Sequence, residues 1–206
     1  EMNISYLDNS VTKTAVTKGM AYSLLAKLYL NAEVYTGQAD AGFWESAEEA
    51  CDSVMALGFY SLEANPSAPF VTENQNSPEN IFVIPYDEDT YTGFNLHMRT
   101  LHYDHNLTFE MTAGPWNGCA TTEDHYNLYE ENDIRKEEWF LVGQQYTSSG
   151  QPITDNTAGS PLVLDPFIPA LNMDASYTPE EIRMSGARVS KFEIKLGAKA
   201  NLSNDF

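Results

Sequence analysis

Two adjoining stretches decide the fold: VTKGMAYSLLAKLYLNAEVYTG at residues 16–37 and FWESAEEACDSVMALGFYSL at residues 43–62. In the first, Ala21, Leu24, Leu25, Leu28 and Ala32 recur three and four apart, with Tyr22 and Tyr29 beside them. That spacing puts one apolar stripe on a helix. Thr17 offers a capping hydroxyl and Gly37 a stop, so the helix is expected over residues 17–35. In the second, Ala47, Ala50, Cys51, Val54 and Met55 form the matching stripe, and Gly58 ends a helix expected over 43–57. The short connection predicts an antiparallel pair with Leu24, Leu25, Leu28, Ala47, Cys51 and Val54 buried. On that reading Leu28→Ala costs about 2–5 kcal/mol. A lone helix pair cannot bury both of its faces, so further helices are expected around it and the 206 residues are expected to be part of a longer chain.

Outward from the pair the pattern changes. Residues 1–16 are polar and read as an incoming loop. Residues 81–85 are a short apolar run, expected as a buried strand or extended segment, and residues 86–118 read as irregular. A short helix capped by Thr122 is expected over 123–129, a turn at Asp133-Ile134-Arg135, a strand over 139–146, loop over 148–169 and a last strand over 188–194. Loops of such length inside a domain usually carry function.

Eleven Lys and Arg stand against 30 Asp and Glu, a net charge of -19. That field repels phosphate backbones and argues against nucleic acid as a partner, while neutral ligands such as sugars stay open. Aromatics make up 12% of the chain, which supplies anchors for a folded core despite the charge. No apolar run approaches the roughly 20 residues of a membrane span.

The helix pair resembles a tetratricopeptide-type unit of the SusD/RagB family, outer-membrane lipoproteins that capture glycans at the surface of Bacteroidetes. Further pieces resemble the family in its own order: NSPENIFVIPYD at 76–87, GPWNGCATTEDHYNLYEENDIRKEEWF at 114–140, GARVSKFEI at 186–194, and NDF at 204–206. The resemblance implies a mainly α fold, a tetratricopeptide-type helical scaffold with long irregular loops and a few short strands. Residues 1–206 are then part of a single SusD-like domain, with the helix pair at 17–58 and a loop-rich ligand face at 59–206. The family's lipidated Cys, first helices and closing helices are expected outside this stretch. The resemblance also implies a surface-exposed outer-membrane lipoprotein and a SusC-like TonB-dependent transporter as partner.

Within the loop region Trp116 lies between Gly114-Pro115 and Asn117-Gly118, a pattern of an exposed turn. The C–H faces of sugar rings stack on aromatic planes, and an Asn amide bonds hydroxyls in both senses, so Trp116 with Asn117 is the expected sugar platform. Tyr86, Tyr91 and Tyr103, with Arg99, complete the candidate ligand-binding set, because aromatics with scattered polar groups line ligand sites. Asp87, Glu88 and Asp89 read as a solvated turn, and Cys51 as core. The four His and Cys119 show no paired metal spacing, so no metal and no cofactor are expected. The pairs Glu48/Glu49 and Glu130/Glu131 are the adjacent carboxylates that any acid-rich chain supplies, and nucleophile and nucleotide motifs are missing. A binding protein is therefore expected rather than an enzyme. The alternative is a helical-repeat scaffold that binds another protein without sugar.

Overall fold

The computed structural model describes residues 4, 7–10, 13–169 and 176–204. The NDF resemblance thus falls partly outside the described residues. Two compact units are present: Glu1–Ala64 with Gln75–Pro85, and Asn65–Asn74 with Tyr86–Phe206.

In the first unit Thr17 caps α1 (Lys18–Leu30) by accepting the Met20 N–H at 3.4 Å. Helix α2 (Ala32–Thr36) continues it to Gly37, whose φ of 70° supplies the left-handed stop. Asp40 then caps α3 (Ala41–Ala56), accepting the Gly42 N–H at 2.9 Å. α1 packs on α3. The residues buried in this pair are small: Ala21, Ala32, Ala47 and Ala50. Gly19 passes so close to Tyr60 that a Cβ would collide with the ring.

The larger residues of the stripes behave otherwise than expected. Leu24 and Leu28 are 47% and 44% exposed. Together with Ile4, Val16, Met20, Ala21 and Leu25 they line an open apolar groove of about 490 Å³. Met55 and Cys51 are exposed, which removes Cys51 from the core. Val54 is half-buried. The physical reason is the width of the stripes. Five apolar positions span more of a helix than one neighbour covers, so the alanine edge meets the partner and the leucine edge does not. Residues 81–85 form no strand; Val83 alone is buried, its N–H donating to the Lys13 carbonyl at 2.9 Å.

The second unit is built from short elements. Helix α4 (Leu96–Thr100), a 3₁₀ turn at Tyr103–His105 and α5 (Asn106–Phe109) occupy the stretch expected to be irregular. Thr122 caps α6 (Glu123–Asn127), as its sequence signal predicts. Asp133 begins not a turn but α7 (Ile134–Trp139), accepting the Arg135 N–H at 3.0 Å. The strand expected over 139–146 is split into β1 (Phe140–Leu141) and β2 (Gly143–Gln144), with Gly143 at φ 70°. β2 pairs antiparallel with β3 (Val163–Leu164). After α8 (Pro179–Met184) comes β4 (Arg188–Val189), antiparallel to β1 with Phe140 opposite Val189.

Because these elements are too short to bury much by themselves, aromatic contacts join them. Tyr86, Phe94, Phe192, Phe70, Trp139, Tyr129 and Phe140 form a continuous chain with successive ring centroids 4.7–6.5 Å apart. Most of these pairs are edge-to-face, the arrangement the ring quadrupole favours. Lys191 places its ammonium 3.8 Å from the Phe70 centroid and 4.5 Å from that of Trp139. Around this chain Phe94, Met98, Leu101, Met111, Ala198 and Leu202 form one buried cluster, and Ile153, Leu162 and Leu164 a second.

Candidate functional site

A helix of five residues leaves its last carbonyls without intrahelical partners. In α4 the Gly114–Gly118 turn fills that need. Trp116 N–H donates to Met98 O (2.6 Å), Gly118 and Cys119 N–H to Arg99 O (2.8 Å each), and Asn117 N–H to Leu101 O (3.0 Å). Pro115 is buried beneath, while Trp116 stands 47% exposed. The exposed Arg99 lies over the indole with its guanidinium carbon 5.9 Å from the ring centroid, and its Nε donates to Asn95 Oδ1. The Tyr103 carbonyl lies against Gly114, and the tyrosine side chain is 44% exposed. The structure therefore brings Trp116, Asn117 and Arg99 to one place, with the Tyr103 backbone against the same turn.

Tyr86 and Tyr91 lie on another turn. Tyr86 is half-buried against Phe94, with ring centroids 5.5 Å apart. Tyr91 is more exposed than Trp116 or Tyr103, and its carbonyl accepts the Asp87 N–H. The Asp87 carboxylate closes that turn on Asp89 N, Thr90 N and Thr90 Oγ1, which holds its pKa below the usual carboxylate range. Lys199 neutralises Glu88 and Asp89 at 3.1 and 2.8 Å.

Asn117 takes a part that sequence reading did not foresee. Its φ of 53° is left-handed, and both ends of its amide are engaged inside the protein. Nδ2 donates to Arg183 O at 3.1 Å, and Oδ1 accepts from Arg188 at 2.8 Å. The amide anchors the turn instead of facing a ligand.

Beneath the site lies a buried polar cluster. His102 Nδ1 accepts the Asp104 N–H at 3.2 Å, and its Nε2 is 3.4 Å from Asp155. His105 Nδ1 accepts the His102 N–H at 2.9 Å, while its Nε2 contacts Gln145 Oε1 at 3.1 Å. Burial, then Arg188, pushes His102 down to about 4 against the pull of Asp155, and burial pushes His105 down to about 3. Both rings are neutral at pH 7. His97 is buried as well. His102, Asp104 and Asp155 have the composition of a metal triad. However, Arg183 lies 3.7 Å from Asp155, and Asp155 already accepts the Thr157 and Ala158 N–H groups. A divalent ion there would face guanidinium charge and compete for occupied lone pairs. Nothing local in the sequence marks this cluster, since the turn that carries His102, Asp104 and His105 meets Gln145 and Asp155 only 40 to 53 residues further along the chain.

No family model and no curated protein matches the sequence. The fold does have solved counterparts. A SusD superfamily protein from Bacteroides fragilis NCTC 9343 is similar over 94% of this chain, with a TM-score of 0.57 and 17% identity. A structure solved with xylogluco-oligosaccharide is similar over 98% of it, with a TM-score of 0.61 and 18% identity. In each case this chain spans 38% of the solved chain's length. The fold is SusD-like: mainly helical, with long loops and short strands.

Proposed function

We propose that this SusD-like chain belongs to a glycan-binding protein of the bacterial outer membrane, held there as a surface lipoprotein, which captures neutral oligosaccharide and passes it to a SusC-like TonB-dependent transporter. The observation that carries the reading is Trp116. It is a half-exposed indole on a turn fixed by four backbone hydrogen bonds, and so presents a preorganised stacking surface. Arg99 supplies a donor over the indole, and Tyr103, whose carbonyl lies against Gly114, offers a further exposed ring. Tyr91, with Tyr86 behind it, offers a separate exposed ring. The solved neighbour with xylogluco-oligosaccharide supports the ligand class. No helix of the described residues is long and apolar enough to cross a membrane.

Stacking contributes roughly 0.5–1.5 kcal/mol beyond area burial. With the lost area, Trp116→Ala should weaken glycan binding by about 2 kcal/mol, near thirtyfold. Far-UV circular dichroism should not change, because the side chain is not in the core. Calorimetry on the full-length protein, with xylogluco-oligosaccharide as the first probe, checks this. Equal affinities for wild type and variant would remove Trp116 from the site. We read the protein as binding without hydrolysis. Reducing ends that accumulate over hours, and vanish on one Asp or Glu substitution, would contradict that.

The open groove along Leu24 and Leu28 favours one second reading, a helical-repeat scaffold for another protein. Retention by a membrane barrel or peptide, with no glycan bound, would select it.

A further inference from the structure

Arg188 is 2% exposed, and burial alone holds its pKa down, to about 10. Among the described residues no carboxylate pairs with it. Its hydrogen bonds go to neutral oxygens: Ser185 O at 2.6 Å, Gly186 O at 2.8 Å, Arg183 O at 2.7 Å and Asn117 Oδ1 at 2.8 Å. Its Nε has no partner. A buried ion without a counter-ion is a costly way to hold a fold, and an apolar side chain of similar volume is generally the cheaper one. What the guanidinium supplies is geometry, since its planar fork reaches several acceptors in fixed directions.

Three of those acceptors are carbonyls at the C-terminal end of α8 and the turn after it, where a positive charge is favoured. The fourth is the amide of Asn117. That residue sits at a positive φ, which L side chains adopt at a cost unless surrounding bonds impose it. Nδ2 of the same amide returns to Arg183 O. One buried cation thus ties the end of α8 to the residue next to Trp116. The backbone bonds to α4 fix one side of the turn, and the Asn117 amide fixes the other.

We propose that Arg188 is the positioning residue of the Trp116 stacking face, holding the indole in place through Asn117; its part in ligand binding rests on the glycan reading above. Two readouts on the full-length protein test it. One is acrylamide quenching of Trp116 fluorescence, taken as the difference between each protein and its Trp116→Phe counterpart. The other is calorimetry with xylogluco-oligosaccharide. Asn117→Gly keeps Arg188 and suits the positive φ but removes the amide link. It should make Trp116 about twofold more quenchable and weaken binding about tenfold, with an unchanged melting temperature. Arg188→Met should raise Trp116 quenching and weaken binding in the same way, and Arg188→Lys should not rescue either effect, because an ammonium cannot span the four acceptors.

Unchanged Trp116 quenching in folded Arg188→Met and Asn117→Gly proteins would overturn the proposal, as would full rescue by Arg188→Lys. If Arg188→Met does not fold, Asn117→Gly decides alone. If the wild type binds no xylogluco-oligosaccharide, the glycan reading loses this ligand, while the quenching readout still decides whether Arg188 holds Trp116.

Discussion

Leu101→Ala should destabilise the second unit by about 2–5 kcal/mol, as deletion of a fully enclosed leucine does when its surroundings cannot collapse. Leu101 is 0% exposed and packs with Phe94, Met98, Met111, Ala198 and Leu202. Its backbone is fixed at both ends of the peptide unit. The N–H donates to His97 O and the carbonyl accepts the Asn117 N–H, so the site limits relaxation into the cavity. Leu28→Ala is the control. The sequence alone predicted the large effect there, but Leu28 lines an open groove, and its truncation should cost about 1 kcal/mol or less. Urea unfolding followed by tryptophan fluorescence measures both. A lowered midpoint with an unchanged slope is expected for Leu101→Ala. Midpoint shifts of equal size in the two variants would show that the enclosed and open positions had been misjudged. Because the substitution leaves the main-chain bonds of the turn in place, glycan affinity well below the melting temperature should be kept.

The contrast between those leucines shows what local pattern can and cannot carry. Periodicity located α1 and α3 because it reports which residues share a helix face, and Thr17, Gly37 and Gly58 marked ends through single-residue chemistry. It could not report how wide a face the neighbour covers, and so Leu24, Leu28 and Cys51 were placed inside. α8 was legible in principle. Thr178 and Glu181 form a capping box with Pro179 at the first helical position, a signal overlooked inside a polar stretch. The core of the second unit was not legible at all. Phe70, Phe94, Trp139 and Phe192 meet across large sequence separations, and no window of ten or twenty residues contains their contacts. The site divides in the same way. Trp116 could be found because its Gly, Pro and Asn neighbours enforce a turn. The buried Arg188 that engages Asn117 lies 71 residues away and reads locally as an ordinary strand position.

That non-local cluster also sets an expected pH response. Stability should fall steadily as the pH drops from about 6.5 toward 4. In the unfolded chain His102 and His105 titrate near 6.5, whereas in the fold they are held down to about 4 and about 3, chiefly by burial. Above pH 6.5 both are neutral in either state and neither affects the balance. Below it the unfolded chain takes up protons that the fold cannot, and the fold is disfavoured until the pH reaches the folded values. For His102 the interval of 6.5 to about 4 corresponds to about 3 kcal/mol at roughly 1.4 kcal/mol per unit. His105 acts in the same direction over a longer interval, and His97, also lowered by burial, adds to both. Asp104 opposes them near the acid end: burial raises its pKa, so the folded state protonates it before the unfolded chain does. Arg188, Asp155 and Arg183 set the field in which His102 titrates. Urea midpoints at pH 7, 6, 5 and 4.5 measure the slope. His105→Gln, which removes one titrating group while keeping an amide beside Gln145, should flatten it by one proton's worth. A midpoint constant from pH 7 to 4.5, or a His105→Gln protein with the wild-type slope, would show that the buried histidines do not control the acid limb.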